Sequence, residues 1–102
     1  MLYDKKWDQK QQQSNPGRRL LLAAANYIEE HGWCQGALEN INGQVCLVGA
    51  LDKTKDYNDQ GYYPAILAIQ DIIGPRFGEW NDQPGRTKED VVNLLRQVAH
   101  NV

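Results

Sequence analysis

Residues 35–51 read QGALENINGQVCLVGAL, and whether they form two strands or a turn and a helix decides the class of the fold. Asn42-Gly43 is the strongest short hairpin signal, since both residues tolerate the positive φ of a two-residue turn. Such a turn pairs Ile41 with Gln44, Glu39 with Cys46 and Leu38 with Leu47. Leu38, Val45 and Leu47 then share one face, and Ala37, Glu39, Ile41, Cys46 and Val48 share the other. The competing reading makes CLVGALDK a short helix. The hairpin is preferred, with its second strand running into a helical turn near Gly49.

Before this stretch lies the clearest helix. Ser14 or Asn15 caps it, Pro16 fits its first turn and Gly32 ends it. Leu20, Leu21, Ala24, Tyr27 and Ile28 recur at helical spacing and form its apolar stripe. Glu29 and Glu30 stand at its C-terminal end, where the helix dipole disfavours negative charge, a hint of a cationic partner. After it, DKTKDYNDQG reads as a charged loop. Pro64 then opens a second long helix, PAILAIQDII, expected to be the central one, which Gly74 and Pro75 close. FGEWNDQPGR reads as a turn-rich connector. Thr87 caps the last helix with Asp90 three residues on, close to a capping box, and Val91, Leu94, Leu95, Val98 and Val102 form its stripe. The expected fold is α+β, mainly α, with three principal helices and a small β-hairpin around Asn42-Gly43.

The chain has 102 residues, enough for one domain: a polar head over residues 1–17 and a compact domain over 18–102. Residues 1–19 carry Lys5, Lys6, Lys10, Arg18 and Arg19 against Asp4 and Asp8, and Trp7 is the one strong anchor of the head. The formal net charge is −2 overall, which argues against a nucleic-acid binder apart from that basic head. No stretch approaches the roughly 20 apolar residues of a membrane span, and the N-terminus lacks the apolar core of a secretory signal. A cytoplasmic protein with two reduced cysteines is expected.

Cys34 and Cys46 invite three chemistries. A nucleophile needs a stabilised thiolate, yet Cys34 follows a helix C-terminus, where the dipole has the wrong sign. The papain-like order is also reversed, since Trp33 precedes the cysteine. His31 or His100 as base and Asp82 as its orienter complete this alternative. A structural zinc site needs about four ligands. His31 and Cys34 make one pair, but Cys46 and His100 stand alone, and a continuous hairpin puts residues 34 and 46 on opposite faces. No metal or other cofactor is expected. Packing as small apolar plugs suits both cysteines better.

EWNDQPGRTKED is the other candidate. Trp80, Asn81, Asp82 and Arg86 offer an aromatic face, an amide, a carboxylate and a guanidinium near a helix N-terminus, a set able to hold an anion or a base. Local architecture is the preferred reading, with an Asx turn at Asn81 or Asp82, a reverse turn at Pro84-Gly85, and an Arg86–Asp82 pair.

Three segments together, YIEEHGWCQGAL, VCLVGAL and WNDQPGRTKEDVVNLLR, resemble a family of small bacterial and phage-encoded proteins, domain of unknown function 6197. The resemblance spans about residues 18–100. Its motifs fall on Trp33 to Ala37, Cys46 to Leu51 and Trp80 to Thr87. It implies a standalone small domain and no known activity, and it draws attention to Trp33, Cys34, Gln35, Trp80, Asn81, Asp82 and Arg86.

The function expected is a small protein-binding module without catalysis, phage-encoded and acting on a host protein, with Trp80 or Trp7 as hot spot. Trp33, Gln35, Trp80, Asn81, Asp82 and Arg86 are its candidate binding residues. The alternative is a hydrolase or transferase built on Cys34. The sequence does not fix the oligomeric state.

Overall fold

The computed structural model describes residues 15–55 and 60–102. Five helices follow one another among them: α1 (Pro16–His31), α2 (Leu47–Thr54), α3 (Tyr62–Ile73), α4 (Phe77–Asn81) and α5 (Lys88–Asn101). The fold is mainly helical. Trp7, the lysines of the head and residues 56–59 of the charged loop lie outside the described residues. No helix among those described is long and apolar enough to cross a membrane.

The expected hairpin is replaced by a turn and a helix. Among the described residues, β pairing consists of two isolated bridges, Trp33–Val45 parallel and Glu39–Val45 antiparallel. The chain reverses through residues 41–43, closed by Asn40 N–H to the Gln44 carbonyl at 2.9 Å and Gly43 N–H to the Asn40 carbonyl at 3.0 Å. Asn40 Oδ1 accepts from the N–H groups of Asn42 and Gln44, both at 3.0 Å, and Gly43 takes a left-handed φ of 81°. A three-residue loop in place of two shifts the register by one, so Glu39 meets Val45 rather than Cys46. Val45 is also engaged from its other side, donating to the Gly32 carbonyl at 3.1 Å and accepting from Cys34 N–H at 3.0 Å.

Pairing ends with Cys46 N–H on the Leu38 carbonyl at 3.1 Å, and α2 begins at the next residue. Cys46 is its N-cap. Its Sγ accepts the Gly49 N–H at 3.3 Å, as a serine oxygen would. Leu47, Ala50 and Leu51 are fully buried, at i, i+3 and i+4. Gly49 is required by the fit: a Cβ there would stand 2.0 Å from the Leu38 carbonyl oxygen. The helical reading of CLVGALDK is the observed one, because the cap and the buried stripe outweigh a strand left with a single bridging residue.

The central helix is α1, not α3. Leu21, Ala24, Ala25 and Ile28 are fully buried on α1, with Leu20 nearly so, and α1 packs against α5, α2 and α3. On α3 only Ala65 and Ile69 are buried. Asn15 Oδ1 accepts the Arg18 N–H at 3.0 Å, Pro16 opens α1, and Gly32 N–H closes it on the Ile28 carbonyl at 2.8 Å. At the far end of the same pair of helices, Arg18 donates from Nε to the Ala99 carbonyl at 3.2 Å and from Nη2 to the Val102 carbonyl at 2.6 Å. These bonds bring a charged donor to the carbonyls at the end of α5, where Ala99 otherwise accepts only a long 3.4 Å bond from Val102 N–H.

Thr87 and Asp90 form the reciprocal capping box of α5, with bonds of 3.1 and 3.0 Å. The cation that Glu29 calls for comes from this same helix: Lys88 Nζ lies 3.6 Å and Arg96 Nη2 3.7 Å from its carboxylate. Part of the expected connector is helical too, as the short α4.

Candidate functional site

Asn81, at the end of α4, is 1% exposed and is the buried polar residue among those described. Its Oδ1 accepts from Trp33 Nε1–H at 2.7 Å and from Leu47 N–H at 3.0 Å. Its Nδ2 donates to the Cys34 carbonyl at 3.1 Å and to Asp82 Oδ1 at 2.9 Å. Both lone pairs and both N–H bonds of the amide are therefore used. Gln35 Nε2 adds bonds to the carbonyls of Asn81 and Gln83, each at 3.0 Å, and Gly36 N–H reaches Asp82 Oδ1 at 3.0 Å. One side chain thus joins the segment after α1, the first residue of α2 and the end of α4. Its neighbours hold the Asp82 carboxyl below the usual carboxylate range, the Asn81 amide foremost and the Gly36 N–H next.

The sequence motifs on Trp33 to Ala37 and Trp80 to Thr87 do meet in space. They meet by bonding to each other. Trp33, Gln35, Asn81 and Asp82 direct their polar atoms into this junction, and no buried side-chain nitrogen or oxygen among the described residues lacks a partner.

Both cysteines border the junction as free thiols. Cys34 donates from Sγ to the Gln44 carbonyl at 3.4 Å and the Ala37 carbonyl at 3.5 Å. Burial, and then the neighbouring Cys46 thiol, push its pKa up. A nucleophilic cysteine is tuned in the opposite direction. The parallel Trp33–Val45 bridge leaves Cys34 and Cys46 each one residue beyond it. They therefore lie on the same side of the pairing, not on the opposite faces a hairpin imposes. His31 stacks on Tyr27 with ring centroids 4.1 Å apart and stands 3.9 Å from Glu30, while His100 is exposed on α5. Among the described residues, neither histidine is hydrogen-bonded to Cys34, whose thiol partners are the two carbonyls. Among the described residues no group of three or more His, Cys, Asp or Glu is placed to hold a metal ion.

Trp80, on α4, and Arg86, in the loop that follows, are both half-buried, and Trp80 packs against the core. Arg86 donates from Nε to the Trp80 carbonyl at 2.8 Å, and its guanidinium lies 3.8 Å over the Trp80 ring. The expected pair between Arg86 and Asp82 is replaced by this stack. Trp80, Pro84, Arg86 and Ile73 line an open cleft of about 480 Å³. Arg76 and Glu79, an ion pair of 3.4 Å, border both this cleft and a groove of about 790 Å³ lined by Val48, Tyr62, Tyr63, Ile66 and Phe77. Along α3, Tyr63 is 69%, Ile72 47% and Leu67 44% exposed. Reading by motif passed over these residues. The signal that could have found them is composition: YYPAILAIQDII holds one charged residue, Asp71, and is apolar beyond the width of one buried stripe.

A family model described as Family of unknown function (DUF6197) matches residues 12–101, and the chain belongs to that family. The match begins earlier than residue 18, so the family pattern takes in the end of the polar head. No curated protein and no solved structure matches the chain.

Proposed function

We propose that this protein is a small binding module whose ligand is an apolar segment of another protein, held in the groove between α3 and α4. The observation that carries the reading is the outer face of α3. Tyr63 and Leu67 stand exposed and Ile66 half-buried on a helix that is apolar nearly all round, a pattern found where a helix is covered on both sides. The Asn81 junction supports it from behind by fixing α4, which forms the other wall. Aromatic and branched apolar residues in a concave surface are the usual centre of a protein interface. The chain's net charge of −2 and the mixed charges at the groove suit a protein ligand better than a nucleic acid.

Selection of random short peptides displayed against the immobilised protein tests this. The expected result is an enriched consensus of apolar positions, with synthetic copies losing binding by about 1 kcal/mol or more on Tyr63→Ala or Ile66→Asp. Absence of any consensus, or binding indifferent to both substitutions, overturns the reading. Self-association of the pure protein that Ile66→Asp abolishes would make a second copy the occupant and overturn it as well.

A further inference from the structure

We infer that Arg86 is a pre-placed anchor for a carboxylate on the bound segment, so that the ligand is an apolar stretch bearing an aspartate or glutamate at its Trp80 end. The inference rests on the protein-binding reading and adds the chemistry of the partner.

Arg86 is half-buried and held on two sides, by its Nε bond to the Trp80 carbonyl and by the Trp80 ring beneath it. Its two terminal nitrogens have no partner among the described residues. Other described cations are matched: Lys53 with Glu39, Lys55 with Asp52, Arg76 with Glu79, and Lys88 and Arg96 with Glu29. Arg18 is bonded to carbonyls at the end of α5. Among the described cations just named, Arg86 alone meets neither a carboxylate nor a carbonyl at its fork.

A guanidinium presents its donors in a planar fork that fits a carboxylate bidentately. Here the ordering that such a bond ordinarily costs has been met in advance by the stack and the Nε bond. The fork lines the cleft that Arg76 and Glu79 join to the groove on α3. An apolar segment lying on Tyr63 and Ile66 and continuing past the Arg76–Glu79 pair arrives at Arg86. A nucleic-acid backbone is the poorer match, since it needs several cations and Glu79 stands at the same rim.

The test uses peptides selected on the intact protein by display, synthesised with their acidic residues and with Asn or Gln in their place. Binding is followed by NMR through the Arg86 Nε–H and Trp80 indole signals. The acidic peptide should bind roughly tenfold to a hundredfold more tightly than its amide counterpart and shift both signals. Arg86→Gln should remove the difference and leave the weaker apolar binding. The peptide comparison on unsubstituted protein stands even if that variant folds poorly. Selected peptides that lack an acidic position, or acid and amide forms that bind equally, overturn the anchor and leave the groove intact. Failure of any peptide to enrich overturns groove and anchor together. Inorganic phosphate that shifts the same signals at lower concentration than the acidic peptide overturns the carboxylate and assigns the fork to phosphate.

Discussion

The Asn81 junction and the outer face of α3 are both rich in features that usually draw attention, and they behave in opposite ways. At the junction, tryptophan, glutamine, asparagine and aspartate converge from two motifs, yet every polar atom of Asn81 is bonded within the chain. On the outer face of α3, Tyr63, Leu67 and Ile72 are uncharged side chains that stand exposed. A buried amide with four partners is a fastener, because any ligand that reached it would have to replace bonds already made in a water-poor setting. An exposed apolar helix face is the reverse: its atoms gain contacts only when something arrives. In this molecule the conspicuous polar residues are bonded to one another, and the exposed residues of α3 are inconspicuous apolar ones.

The comparison breaks most visibly at Gly49. Replacing Gly by Ala inside a helix ordinarily stabilises by about 1 kcal/mol. Here the new Cβ would stand 2.0 Å from the Leu38 carbonyl, a backbone atom that cannot swing aside. Gly49→Ala should therefore destabilise by about 4 kcal/mol or more, at the extreme end for single substitutions. An unchanged or raised urea midpoint would show that α2 does not sit against the Leu38 carbonyl as described. Next comes Asn81→Ala, which strands the Trp33 indole N–H, the Leu47 N–H and the Cys34 carbonyl together. A loss of about 3 kcal/mol is expected, since each buried unpaired group costs roughly 1–3 kcal/mol and some regain water. A loss well under 1 kcal/mol in equilibrium denaturation would mean that the junction is dispensable.

How much of this was legible beforehand depends on the range of the forces involved. The caps of α1 and α5 were readable because Asn15, Pro16, Gly32, Thr87 and Asp90 act within a few residues of themselves. The hairpin misread has a local and a distant cause. Asn42-Gly43 does mark a reversal, but Asn40 side-chain bonds lengthen the loop by one residue. The second cause is the parallel bridge to Trp33, a contact that no turn rule contains. Similarly, the two motifs could be noticed from sequence, while their meeting could not. It depends on bonds that span more than forty residues, such as Trp33 to Asn81. α3 has the apolar content of a central helix, but only its Ala65 and Ile69 are buried, and apolar content does not reveal how much of a helix is covered.

Acid and alkali should each loosen the junction by smaller amounts, through pKa shifts of opposite direction. Asp82 has a folded-state pKa below its unfolded value, so its contribution is present above the ordinary carboxylate range. That contribution is lost as pH falls through the folded pKa. For Cys34 the folded value is raised, so its contribution is complete below the ordinary thiol range and is lost as pH rises through the folded pKa. Urea midpoints measured across pH should thus decline at both ends. Asp82→Asn should flatten the acid limb alone. An acid limb as steep in that variant as in the parent would place its origin in other carboxylates.

The smallest expected effect on stability is the one that sharpens the comparison most. Leu67→Ala removes apolar atoms from a residue already 44% exposed, and Tyr63→Ala does so at 69%. Substitutions at such positions usually change stability by no more than about 0.5 kcal/mol. If the face exists to be covered, Tyr63→Ala, which lines the groove, should cost about 1 kcal/mol or more in peptide binding while leaving the urea midpoint in place. The junction predicts the opposite pattern, since Asn81→Ala should lower stability first and affect binding only through α4. Two measurements on each variant therefore separate fastener from binding face. Were Tyr63→Ala and Leu67→Ala to lower the midpoint by as much as Asn81→Ala, the face would be a packed surface, and its apolar residues would already have the cover that the binding reading assigns to a partner.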